Sequence, residues 1–412
     1  MKKKLSLLLI SYIILCAIVI YSVLLKTPQE NFTKVENRTL ATNDVLKNKI
    51  NFGSFKNKSL QDYFANLSND QFPLKETFLE MNLKFEKKKS DILSSILPNN
   101  YLIKVGNYYR ISGTDAYMDY PLVSGENSEA LFNNRMWNFE RIAEKYGNDY
   151  KLYIYKPTSA SELPCFDSYA IYSEGNYYYQ ELCNRLGSMY KIKRQEINTV
   201  DEYLDKHYLT DHHWNYKGAY DGYRDIINMI GEDFDIGKPY DIKKITEHNQ
   251  KFYGSLSIKA MNTFGSDDFT TYELDYEKIY SYYINNEERQ LGYKEEIFSD
   301  SNAEYDGYMY EDYYGNNEKW IKIVNYKNLN GKSILILGDS FSNCINEDIA
   351  AHFENTYIID SRFWLEEDNP SVSTFSLDDF LEHNDVDCIL WLQFYTSLYF
   401  DSTCYLHIGL DY

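Results

Sequence analysis

Two short blocks carry the residue types that together make a reactive hydroxyl. The first is Gly338-Asp339-Ser340-Phe341-Ser342, which follows the nearly all-apolar run Ser333 to Leu337 (SILIL). A serine at the carboxyl end of a buried parallel strand faces the crevice where ligands bind. The amides of a helix that starts there can stabilise a developing oxyanion. Gly338 lets the backbone turn tightly and leaves room for a substrate. The second block is Thr210-Asp211-His212-His213-Trp214-Asn215. A serine hydroxyl attacks poorly until a base takes its proton, and the base needs a carboxylate to fix its tautomer. Asp211 and His213 stand two apart, so in an extended loop they project to the same side. The expected roles are Ser340 as nucleophile, His213 as base and Asp211 as its orienting acid, with His212 the intervening position.

Each block also has a plainer use. Asp339 or Ser340 can simply cap the helix that follows, and Thr210 or Asp211 can cap a helix beginning at Asn215. Adjacent histidines can bind metal, but no further Cys, His or clustered carboxylate stands nearby at ligand spacing. No metal and no cofactor is therefore expected. The serine block is not the G-x-S-x-G elbow, because Ser342 stands where that motif needs glycine. The amides of Ser340 and its successor are the expected oxyanion donors, with Arg362 and Gln393 as assistants because both follow predicted strands. Taken alone, Arg362 reads as a surface ion pair and Gln393 as a loop hydrogen-bonder.

The elements that must position these blocks are α/β in kind. In the last eighty residues, strands at Ser333 to Leu337, Thr356 to Ile359 and Asp387 to Leu392 alternate with helices. One helix runs from Ser340 to about Phe353 and another from Leu377 to His383, which argues a parallel sheet with right-handed crossovers. Upstream, Ser128 to Tyr146 reads as a helix with Leu131, Met136, Trp137 and Ile142 inward, followed by a strand at Lys151 to Tyr155. Asn215 to Ile230 is a helix that Gly231 should end. Tyr101 to Tyr109 reads as a hairpin turning at Gly106-Asn107. Asp62 to Ser90 is helical with a break at Phe72-Pro73, after which Leu74, Phe78, Met81 and Phe85 form a stripe that Lys87, Lys88 and Lys89 close. Residues 232–330 are acidic and Tyr-rich and read as an insertion or small β lobe.

Compartment and partners follow from the ends and the charge. Lys2 to Lys4 precede the uncharged run Leu5 to Leu25, whose 21 residues at about 1.5 Å each span roughly the 30 Å of a bilayer core. No A-x-A-like cleavage site follows, so an uncleaved anchor at 1–26 is expected, with the lysines cytoplasmic and the rest outside. Residues 27–60 then form a tether and 61–400 the catalytic domain. Residues 1–100 hold 15 Lys and Arg against 9 Asp and Glu, which leaves 27 against 53 for the remainder of the 412. So acidic a body repels phosphate backbones and excludes nucleic acid as a partner. Cys16, Cys165, Cys183, Cys344, Cys388 and Cys404 show neither CxxC nor zinc spacing. The 42 tyrosines suit stacking on sugars but equally fill strand surfaces.

A GDS strand–helix turn with a D-x-H loop resembles the SGNH hydrolase superfamily. Asp211 precedes Ser340 in the chain, and that order with the literal Asp-His-His-Trp is similar to the DHHW branch and to bacterial alginate O-acetyltransferases. Glu36-Asn37-Arg38-Thr39-Leu40-Ala41, Asp70-Gln71-Phe72-Pro73-Leu74-Lys75 and Phe252-Tyr253-Gly254-Ser255 extend the resemblance. No G-x-N-D oxyanion block accompanies them. The letters DHH also occur in metal-dependent phosphoesterases, whose further aspartate motifs are missing from this chain. The resemblance implies an SGNH-like sheet flanked by helices and O-acetyl transfer onto a cell-surface polysaccharide. The acetyl donor would be supplied by a multispanning membrane protein. A deacetylating esterase with the same three residues and a non-catalytic sugar-binding envelope protein are the alternatives.

Overall fold

The computed structural model describes residues 58–72, 75–119, 128–158, 175–261, 263–289, 310–315, 317–329, 331–364 and 375–393, with isolated positions elsewhere. Most of the Leu5 to Leu25 run, most of the tether and residues 290–306 lie outside the described residues. Among the described residues no helix is long and apolar enough to cross a membrane.

After a short antiparallel pair, Phe32–Thr33 with Arg38–Thr39, come α1 (Ser59–Asp70) and α2 (Lys75–Ile96), then strands β1 (Leu102–Val105), β2 (Tyr108–Ile111) and β3 (Tyr117–Asp119). Next come α3 (Ser128–Tyr146), β4 (Lys151–Lys156), α4 (Gly175–Leu186), β5 (Lys191–Arg194), α5 (Val200–Lys206) and α6 (Tyr216–Gly231). The middle of the chain holds β6 (Ile242–Phe252), α7 (Ser255–Lys259), β7 (Asp267–Leu274), β8 (Tyr280–Ile284), β9 (Glu287–Arg289), β10 (Gly307–Tyr308) and α8 (Tyr310–Tyr314). The last part comprises β11 (Trp320–Asn325), β12 (Ser333–Gly338), α9 (Ser340–Asn343), α10 (Asn346–Ala350), β13 (Asn355–Asp360), α11 (Leu377–His383) and β14 (Cys388–Leu392).

The main sheet has eight strands in the order β9-β8-β11-β13-β12-β14-β4-β5. From β13 to β5 neighbouring strands pair in parallel, while β11, β8 and β9 add on antiparallel. β12 reads SILIL because both its faces are covered. Leu335 and Leu337 join Phe139, Leu182 and Phe380 on one face. Ile334 and Ile336 join Tyr223, Ile226 and Ile349 on the other. Each such side chain contributes roughly 1.5–3 kcal/mol of burial, and Ile336→Ala would cost about 2–5 kcal/mol. From β12 the chain passes to β13 on one side and then returns to β14 on the other. That reversal opens a crevice at the carboxyl end of β12.

Several expectations need correction. Residues 232–330 do not form one separate lobe. β6, β7 and β10 make a small sheet, but β8, β9 and β11 extend the main one, because Tyr280 to Ile284 pair with Ile321 to Asn325. Trp137 is 45% exposed. The inward face of α3 runs through Phe132, Met136, Phe139, Ala143 and Tyr146, and Trp137 lies one residue off it with the Arg141 guanidinium 4.7 Å over its ring. Lys87 to Lys89 do not close α2, which continues to Ile96. Lys87 and Lys89 pair with Asp91 and Glu86 along the same helix, so neither interrupts it. The stripe through Phe78, Met81 and Phe85 lies on this helix, as expected, and faces solvent, and Leu74 lies outside the described residues. Gly231 is the last helical residue of α6, not a left-handed stop beyond it. The helix after Ser340 comes in two pieces, α9 and α10.

Candidate active site

Ser340 opens α9 where β12 ends. Asp339 is the cap: its carboxylate accepts the Phe341 N–H at 3.0 Å, and its carbonyl accepts the Ser342 hydroxyl. Gly338 suits the site for a local reason, since a β-carbon there would lie 2.6 Å from Ser342 Oγ and would push that hydroxyl off the Asp339 carbonyl. The Asp339 cap thus leaves Ser340 as the partly exposed side chain of the turn.

The Asp-His loop folds back to meet it. His207 and Trp214 bridge antiparallel, and the Tyr208 N–H donates to the His213 carbonyl, so residues 207–214 close on themselves. Asn215, not Thr210 or Asp211, caps α6, its side chain accepting from the Lys217 and Gly218 amides. Asp211 is therefore available to His213. Its Oδ1 lies 2.6 Å from His213 Nδ1 and also accepts the His213 N–H. His213 Nε2 lies 2.8 Å from Ser340 Oγ. The structure thus brings Asp211, His213 and Ser340 into one hydrogen-bonded chain across 127 residues of sequence. His212 turns elsewhere, its Nδ1 2.8 Å from Ser255 Oγ.

Two later segments fix this loop. The Ser255 N–H donates to Asp211 Oδ2 at 2.5 Å, and the Leu256 and Ser257 amides donate to the Thr210 carbonyl. Gly254 lies so close that a β-carbon would stand 2.2 Å from the Thr210 carbonyl oxygen. On the other side, buried Asp267 accepts from the Leu209 and Thr210 amides and the Thr210 hydroxyl. Burial pushes the Asp267 carboxyl up to about 6 despite these donors. For Asp211 burial also works upward, but His213, His212 and the Ser255 amide outweigh it and hold the carboxyl well below its usual range. Asp211 is thus a carboxylate at any working pH.

The walls are aromatic. Tyr310 stacks on the His213 ring at 3.9 Å and 5°, and Phe341 packs at 4.7 Å. Trp214 donates its indole N–H to Cys344 Sγ at 3.0 Å. Its ring lies in a slot that Gly222 leaves on α6, where a β-carbon would stand 2.7 Å from the ring, and at Gly218 a β-carbon would lie 2.3 Å from the Lys206 carbonyl oxygen and 2.8 Å from the Trp214 Cβ. Sequence reasoning missed Tyr310, Asp267 and the two glycines. Ser255 was within reach, because Phe252-Tyr253-Gly254-Ser255 had stood out as a block.

The oxyanion donors differ from expectation. The Phe341 amide is taken by Asp339, so of the pair only the Ser340 N–H remains for an incoming oxyanion. Arg362 clamps Asp360 through Nε and Nη2, consistent with its ion-pair reading and not with an oxyanion donor. Gln393 follows Leu392, which pairs with Gly338. It is buried, and its Nε2 has no partner among the described residues. Asp211, His212 and His213 could in principle hold a metal, since a ligand atom of each lies within 4.8 Å of the others. Both nitrogens of His213, both oxygens of Asp211 and Nδ1 of His212 are already hydrogen-bonded. An ion would have to displace that network.

No protein-family model matches the chain, and no curated protein matches it in sequence. Solved structures do. PatB1 of Bacillus cereus, in a form with a sulfonyl adduct, aligns at TM-score 0.55 and 20% identity over 70% of this chain and 94% of that one. A DHHW family protein from Eubacterium siraeum aligns at TM-score 0.52 and 17% identity, over 73% and 94%. The O-acetyltransferase domain of Pseudomonas putida AlgJ is a looser match, at TM-score 0.39 and 9% identity over 73% and 93%. At such identities the likeness is one of fold: this chain shares its fold with PatB1 and with a DHHW family protein.

Proposed function

We propose that the protein is an outward-facing serine O-acyltransferase that acetylates a cell-surface polysaccharide, held to the membrane by Leu5 to Leu25. The observation that carries this reading is the unbroken chain Asp211–His213–Ser340. Ser340 Oγ attacks the acyl carbonyl as its proton passes to His213 Nε2. The Asp211 carboxylate holds the Nδ1 proton and supports the imidazolium. The Ser340 amide, with Gln393, receives the oxyanion. Collapse expels the donor's leaving group with the proton from His213 and leaves an acyl-Ser340 ester. A sugar hydroxyl then gives its proton to His213, attacks the ester, and Ser340 regains its hydrogen.

Water in place of the sugar gives the esterase. Transfer is favoured by the cover on the base, since Tyr310 and Phe341 pack on the His213 ring and His213 is only 5% exposed. The likeness to PatB1, whose structure carries a sulfonyl adduct, supplies a probe. The full chain is incubated with an activated acetyl ester, with and without candidate glycans, before and after a sulfonyl fluoride. Mass spectrometry follows Ser340 and the glycan. Acetyl on Ser340 that moves to glycan, and is blocked by sulfonylation of Ser340, is the expected result. Acetyl released only to water makes the protein an esterase. An unmodified Ser340 overturns the enzyme reading.

A further inference from the structure

Helix α2 presents two unlike faces. Inward, Leu83 packs with Val105 and Tyr117, Ser90 is fully buried, and Asp91 pairs with Arg110 of β2. Outward stand Phe78, Met81, Phe85, Ile92 and Ile96 at 57, 63, 66, 60 and 71% exposure. Their spacings of three, four, seven and four place all five on one side of a helix, over about 27 Å at 1.5 Å per residue. So large an apolar row turned to solvent marks an interaction surface.

The surroundings of the row say what covers it. Lys88 and Lys89 fill the gap between Phe85 and Ile92, one on either side of the row at helical spacing. Lys84 follows the same flank; Lys84 and Lys89 pair with Glu80 and Glu86 of the same helix, and long lysine stems can lie along apolar surface with their ammonium groups in a polar layer. Lys2 to Lys4 belong to the expected cytoplasmic side, and residues 27–100 hold 11 Lys and Arg against 9 Asp and Glu, a slight positive balance next to a strongly acidic remainder. A second copy of the helix fits worse. With Phe78, Phe85 and Ile92 as one set of seam positions, the other set would be Met81, Lys88 and Ser95, and a coiled coil would bury a lysine and a serine.

We infer that α2 lies flat on the outer leaflet of the membrane, its Phe78 to Ile96 row at the acyl–headgroup boundary and its lysines among anionic headgroups. This rests on the anchor at Leu5 to Leu25. Of the 412 residues, only 26–74 separate that run from α2, so the helix is within reach of the surface it would touch.

The test uses the full chain in nanodiscs of phosphatidylcholine and phosphatidylglycerol with brominated acyl chains. Phe85→Trp reports from the row, and Tyr177→Trp reports from an exposed site on the body. The emission added by Phe85→Trp should be quenched at least about twofold more than that added by Tyr177→Trp. Adding Phe78→Asn, Met81→Gln and Ile92→Asn should abolish the difference with circular dichroism unchanged. Incorporation without extra quenching at position 85 overturns the docking and leaves the anchor standing. Failure to enter discs overturns both. A detergent-solubilised mass of two chains, reduced to one by the triple substitution, assigns the row to a second copy and likewise overturns the proposal.

Discussion

The backbone N–H of Ser255 donates to the outer oxygen of Asp211 at 2.5 Å, from a position 44 residues further along the chain. This bond, not the Ser255 hydroxyl, ties the small sheet to the acid of the site. Ser255→Ala should therefore change turnover by less than about threefold. Ser255→Pro removes the N–H yet occupies the first position of α7, where proline is well accepted. Gly254 before it is extended, as a residue preceding proline must be. Turnover of Ser255→Pro should fall at least about tenfold, and melting temperature should fall with it, because a buried carboxylate oxygen loses its donor and meets the proline ring instead. Equal effects of the two variants would remove the bond from the mechanism.

His212 and His213 should separate cleanly. Ser340→Ala and His213→Ala each break the hydrogen-bonded chain and should lower ester turnover by about 10³ or more. His212 touches Ser255 but not Ser340, so His212→Ala should cost less than about tenfold. Steady-state kinetics with and without a chelator checks this. Equal losses at the two histidines, or recovery on adding zinc, would move the chemistry to a metal held by Asp211, His212 and His213.

Asp267 should make stability depend on pH with a defined sign. Burial raises its folded value to about 6 from an ordinary 3.8. Between those values the folded chain binds more protons than the unfolded one, so this group's contribution to stability falls as pH rises. The loss, on the order of 2–3 kcal/mol, is complete above about pH 6. Denaturation of the wild type and Asp267→Asn at pH 4 and pH 7 should show the variant's relative stability improving as pH rises. The opposite trend would mean that the donors from Leu209 and Thr210 dominate.

Gln393 follows the strand beside β12, and among the described residues its buried Nε2 has no partner. Gln393→Leu should lower kcat about 10–100-fold with KM little changed, as expected of a donor used only in the transition state. A change confined to KM would place Gln393 in substrate binding instead.

The sequence made β12 and its turn legible because an all-apolar strand buried on both faces leaves a continuous run, and Gly338 to Ser340 end it. The hairpin at Gly106, left-handed in the structure, and the bounds of α3 and α11 were legible for equally local reasons. What was hidden depends on partners distant in the chain. Nothing in Tyr280 to Ile284 says that it pairs with Ile321 to Asn325, nor does Asp267 announce that it will hold Thr210 across 57 residues. Tyr310 reaches His213 only through tertiary packing. Trp137 shows the other limit, since a large apolar residue one step off the inward face is covered by an arginine rather than by the core.

The strand order has a consequence for how this protein comes into being. A chain emerging amino end first presents β4, β5 and α6, and with them His213, long before β12 exists. β11 and β4 then offer bare edges with three strands missing between them, and unpaired edges invite association. Only the arrival of β12, β13 and β14 fills the gap, and the same insertion delivers Ser340 to its base. Under the proposed mechanism reactivity is thus coupled to completion: a nascent or truncated chain that stops short of Ser333 has His213 without Ser340, and the two meet only in the step that closes the sheet.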